Sequence, residues 1–233
     1  MSEAITWKVW DLPVRIFHWS LLLAVAGAWF THRAGVLYFR YHLWCGYAVL
    51  ILVSFRILWG WLGTRHARFA HFVRGPGATL RYLGEVLLDR AAHTAGHNPL
   101  GAWMVVLLLT LLLGQALTGL FGNDEIFNTG PLVGYVGNAT SVALTRIHRQ
   151  LFDLILIAIG LHVLAVLAHW LFRRENLVLP LFTGRKPATQ LPANEAIRGS
   201  RLWLAVSLLL GLCLALAWLV RSAPAGAALS DPF

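Results

Sequence analysis

The chain has 233 residues, 58% of them hydrophobic and only 12% charged, with a mean hydropathy of +0.66. A soluble domain of this composition would lack polar cover, so the chain belongs in a bilayer. The formal charge of +9 comes from Lys and Arg grouped in short stretches between long apolar runs, the pattern of membrane loops, and nucleic acid is not an expected partner.

Five apolar runs approach the roughly 20 helical residues that cross a hydrocarbon core of about 30 Å. They cover 14–31, 42–62, 100–121, 147–172 and 202–220. Backbone polar groups in lipid must be satisfied within their own segment, so these runs read as helices and the fold class as all-α. Ala24-Val25-Ala26 has the look of a signal-peptide cleavage site, but the run continues through Trp29 and Phe30 and carries a histidine, so it reads as a span. Between the second and third runs, Leu80, Leu83 and Leu87 share a helical face opposite Arg81, Glu85 and Arg90. That pattern suits a short helix on the inner surface and equally an ordinary connecting helix. Residues 179–198 hold three prolines and read as a linker, which makes the fifth run an appendage.

With the N-terminus cytoplasmic, the inner side collects Lys8, Arg15, the arginines between positions 65 and 90, Arg173, Arg174, Arg185, Lys186, Arg198 and Arg201. The outer side keeps only Arg33, Arg40, Arg146, Arg149 and Arg221. The positive-inside rule therefore predicts a cytoplasmic N-terminus and, after five crossings, a periplasmic C-terminus. Cys45 and Cys213 lie in apolar runs and no CxxCH motif occurs, so covalently attached haem is not expected.

Metal-binding side chains inside spanning helices are costly and so point to function. Of ten histidines, His66, His71, His93 and His97 fall in the inner loop and read as solvated, and His32 reads as interfacial. His148 and His162 are fourteen residues apart, about four helical turns, so their rings face nearly the same way some ~21 Å apart. The topology brings His42 level with His148 near the outer face and His18 level with the deeper His162. Two facing imidazoles at each level are the ligand set of low-spin electron-transfer haems. Depth alone leaves His169, seven residues beyond His162, as a rival partner for His18. Gly46, one turn after His42, would leave room for a flat macrocycle. Arg15 and Arg56 suit the propionates of an inner haem, or snorkelling to the interface. Arg149 and Asp153, four residues apart, suit an ion pair within the helix.

Arg15-Ile16-Phe17-His18-Trp19, His42-Leu43-Trp44-Cys45-Gly46, Gly96-His97-Asn98-Pro99-Leu100, and Gly160-Leu161-His162 followed by His169-Trp170 resemble the bacterial cytochrome b561 family. That family includes the b-type subunits of nickel-iron hydrogenases. The resemblance covers 7–187 and implies a four-helix inner-membrane bundle with two noncovalent b haems, liganded by His18 with His162 and by His42 with His148. Residues 188–233, with the fifth helix and a periplasmic tail, fall outside it. The resemblance further implies electron exchange with quinone and with a redox enzyme subunit or a periplasmic c-type cytochrome. The outer loop 122–145, with Asp124 and Glu125, is a docking candidate or an ordinary solvated loop. One branch of the family resembles a superoxide oxidase, so a self-contained superoxide:quinone oxidoreductase is the runner-up. A haem-free transporter or scaffold is the reading from a different class, and the chain lacks the paired broken helices of transporters.

Overall fold

The computed structural model describes residues 5–224 apart from positions 89, 93, 190 and 192, so His93 and the C-terminal tail beyond 224 lie outside the described residues. The chain begins with β1 (Thr6–Lys8) and α1 (Leu12–Arg33), followed by α2 (Phe39–Leu62), α3 (Phe69–Phe72) and α4 (Pro76–Leu87). Next come α5 (Pro99–Leu120), α6 (Asn138–Arg173), α7 (Leu179–Thr183), β2 (Arg185–Pro187) and α8 (Leu202–Arg221). Among the described residues, helices α1, α2, α5, α6 and α8 are the five that are long and apolar enough to cross a membrane. The chain is thus a multi-pass, predominantly helical membrane protein.

Helix starts follow local chemistry. Asp11 caps α1, its carboxylate accepting the Val14 N–H at 2.7 Å. Asn98 does the same for α5 by accepting the Gly101 N–H at 2.7 Å, and Pro99 then takes the first helical position, where a missing N–H loses no bond. Helix α6 starts at Asn138, well before the expected 147, because its polar first turns bond back onto the preceding loop. Ser141 Oγ donates to Phe121 O and Thr145 Oγ1 to Asn123 O. Helix α4 has no buried residue, and Leu80 and Leu87 stay largely exposed.

The fold is predominantly helical, as expected, with one short strand pair: β1 pairs antiparallel with β2, with Trp7 opposite Lys186. The segment 179–198 is not a plain linker, since Gly184 ends α7 in the left-handed conformation, at φ 77°, and its carbonyl accepts the N–H groups of Val9 and Trp10. A side chain there would be strained, and its Cβ would lie 2.9 Å from Trp10 O. Ile197 N also donates to Lys8 O, so the segment is pinned to the chain's beginning by backbone bonds that no hydrophobic pattern announces.

The chain forms two compact units, and each long helix contributes to both. The first comprises the described residues up to 18, with 56–108 and 158–205; the second comprises 19–55, 109–157 and those from 206 onward. Within the first unit, Asp11 is almost fully buried and its second carboxylate oxygen accepts from Trp59 Nε1 at 3.0 Å and from Thr64 Oγ1. In the same unit Lys186, which sequence places in a loop, is buried against Glu175 at 3.1 Å. The second unit is closed around apolar residues such as Val53 and Ile155.

Candidate functional site

In the second unit, α2 and α6 bring His42 and His148 face to edge, with ring centroids 6.3 Å apart and planes at 80°. His42 Nδ1 lies 2.8 Å from Ala28 O and His148 Nδ1 lies 2.8 Å from Gln115 O. A carbonyl can only accept, so each Nδ1 carries the proton and each Nε2 presents a lone pair. The His148 Nε2 pairs at 3.0 Å with the Gln115 side-chain amide, a contact that a rotation of that amide would release. Both rings line a cavity of about 470 Å³, which Gly46 and Gln115 also line. A Cβ added at Gly46 would meet nothing within 4 Å, whereas one at Gly119 would lie 2.9 Å from His148 Cε1.

Arg149 and Asp153 both line this cavity and, among the described residues, form no ion pair, contrary to the expected pairing within the helix. His32 lines it as well, its ring centroid 5.7 Å from that of His42, so it is part of the site's wall. The loop acid Asp124 turns inward. Partial burial alone would raise its pKa, but the N–H groups of Asn128, Ile126 and Phe127 and the Asn128 amide hold it at about 2. Its carboxylate is therefore engaged by its own loop.

In the first unit, His18 and His162 are half-buried and within electrostatic reach of one another. His169 lies on the same helix with both ring nitrogens engaged, Nδ1 at 3.0 Å from Ala165 O and Nε2 at 3.3 Å from Asn98 Nδ2. Arg56 is 2% exposed; its Nη1 donates to Ala67 O at 3.1 Å, its guanidinium packs over Phe69 and Phe72, and its buried Nη2 has no hydrogen-bond partner. Arg15 instead donates through Nε to Leu181 O at 3.2 Å.

Two inner-loop histidines contradict their solvated reading, while His71 stays exposed. His66 is buried with Nε2 2.8 Å from Glu195 O; burial lowers its pKa, the Glu195 carbonyl and carboxylate only partly offsetting that. His97 packs against Trp10 and Phe72 with ring centroids 4.8 and 4.7 Å away. Burial, then the neighbouring Arg56, His162, Lys186 and His18, push its imidazole down to about 3. Sequence offered one signal for His97, its place directly before the Asn98-Pro99 helix start. Gln115 and Gly119 gave none, being unremarkable residues of an apolar helix.

The family model described as prokaryotic cytochrome b561 matches residues 9–184. The chain belongs to the prokaryotic cytochrome b561 family. Among curated proteins, the probable Ni/Fe-hydrogenase B-type cytochrome subunit of Rhizobium leguminosarum bv. viciae is 25% identical over 215 residues, covering 76% of this chain and 87% of that protein. No solved structure matches. As a member of the cytochrome b561 family the chain is a membrane b-type cytochrome serving electron transfer, and haem b is the cofactor that membership implies.

Proposed function

We propose that the chain holds two noncovalent b haems, one between His42 and His148 and the other between His18 and His162. It passes electrons between the quinone pool and a periplasmic redox partner across a bacterial inner membrane, with its N-terminus cytoplasmic. In this reading 7–187 form the dihaem domain and 188–233 an appended linker, helix and periplasmic tail. The partner is a c-type cytochrome or a redox enzyme subunit; the hydrogenase cytochrome relative, named for its enzyme, favours the second. Quinone binds beside the inner haem on the side of Arg56 and Arg15.

The observation that carries the reading is the His42–His148 pair. Two imidazoles are the ligand set of low-spin b haems, and His42 and His148, with ring centroids 6.3 Å apart, would hold the group between them. The carbonyls of Ala28 and Gln115 fix both rings in the tautomer that frees Nε2, as outer partners of metal-bound histidines do. The cavity has a volume ordinary for a bound cofactor, and Gly46 leaves its wall flat. When bound, haem supplies one-electron redox chemistry at iron. The chain's own residues orient the ligands and exclude water with apolar helices, and the electrostatic proximity of His162 to His18 favours His162 as the inner ligand. The test is a dithionite-reduced minus oxidised spectrum of the purified protein with a pyridine haemochrome count. Two b haems per chain are expected; none would return the histidines to packing or to another metal.

A further inference from the structure

The conspicuous unspent chemistry of the first unit lies in two side chains that meet on the ring of Phe72. Arg56 is 2% exposed and its Nη2 has no hydrogen-bond partner. His97 packs at a tilt against the same ring, and its Nδ1 is enclosed and likewise without a partner. An enclosed N–H left unpaired costs free energy, and more so when the group is charged, so such groups persist where something absent from the bare chain satisfies them. The missing acceptor has a sign. His97 is within electrostatic reach of His18, His162 and Arg56, and Lys186, the other cation beside it, is neutralised by Glu175, whereas Asp11, the acid near Arg56, has its oxygens engaged by Val14, Trp59 and Thr64. Nothing described there offers a free carboxylate to Arg56 Nη2.

We propose that Arg56 and His97 together clamp one propionate carboxylate of the inner haem, Arg56 donating through Nη2 and His97 through Nδ1. This rests on the dihaem reading above and adds His97, placed by the Gly96-His97-Asn98-Pro99 turn at the start of α5, to the cofactor's holding groups. Asn98 serves the clamp twice: it caps α5 and so fixes the residue before it, and it holds His169 away through its amide. Trp10 also packs against the His97 ring, edge-on with ring centroids 4.8 Å apart.

The test compares His97→Phe, which keeps the aromatic packing and removes the donor, with His97→Gln, which restores a donor, and Arg56→Gln with Arg56→Lys. Measured on purified holoprotein are inner-haem retention against an apoprotein scavenger, the midpoint potential of each haem, and the propionate bending bands in the resonance Raman spectrum. Expected are roughly tenfold faster loss of the inner haem in His97→Phe, partial rescue in His97→Gln, a lowered inner potential in Arg56→Gln, shifted propionate bands in both, and an unchanged outer haem. If His97→Phe does not fold, Arg56→Gln and the Raman bands carry the decision. Unchanged retention, potential and bands in a two-haem protein would overturn the clamp while leaving the dihaem reading intact. Slower reduction by quinol with haem properties unchanged would also overturn it, because His97 would then serve the quinone. Wild-type protein with no inner haem would instead sink the underlying reading.

Discussion

His162 and His169 are seven residues apart on α6, and they differ in what their ring nitrogens do. Those of His169 are engaged by Ala165 O and Asn98, whereas His162 makes no hydrogen bond among the described residues and is within reach of His18. His162→Ala is therefore expected to lose one b haem and His169→Ala to keep both, read from the reduced-minus-oxidised spectrum; the reverse pattern would reassign the ligand. Asp11 is a second residue whose role is set by its bonds. Replacing it with Ala strands the Trp59 and Thr64 donors, uncaps α1 and leaves Arg56 without its neighbouring acid, at a cost of about 3 kcal/mol. The thermal unfolding midpoint in detergent should drop clearly, and an unchanged midpoint would show that the network adds nothing.

At the scale of elements, close packing of α5 on α6 depends on Gly119. Its missing side chain makes way for the His148 ring, so Gly119→Val should push that ring out of line with His42 and deplete the outer haem selectively. A normal spectrum of both haems would mean that the helices yield. The loop between α2 and α3 carries the pH response. His66 is buried and held neutral, its pKa below the usual value of 6.5, so the unfolded chain takes up the proton more readily than the fold does. Its packing is fully stable above about pH 6.5 and weakens as pH falls below it. Limited proteolysis of the inner loop should accelerate on acidification, and less so in His66→Gln. The long helices themselves were legible from apolar length, and the nearness of His42 to His148 from topology. The solvated reading of His66 and His97 failed because loop burial depends on segments distant in sequence: Glu195 covers His66, and Trp10 covers His97. The strand pair was missed for the same reason, since three-residue strands carry no readable alternation.

For the whole molecule, five spans and the distribution of Lys and Arg predict a cytoplasmic N-terminus and a periplasmic C-terminus. Alkaline phosphatase fused after residue 221 should be active and a fluorescent-protein fusion there dark; the opposite result would invert the orientation and exchange the inner and outer haem levels. Sequence by itself determined the membrane and the number of apolar spans, because hydrophobic length is a local property of a chain in lipid. Only the tertiary structure decided which nitrogen of each ring is free, that Arg56 and His97 keep unpaired donors on one aromatic ring, and that Asp124, Lys186 and Glu175 are occupied by the protein itself. The reason is physical: a proton's position and a charge's partner depend on atoms within about 3 Å, and in this chain those atoms come from residues up to 192 positions away.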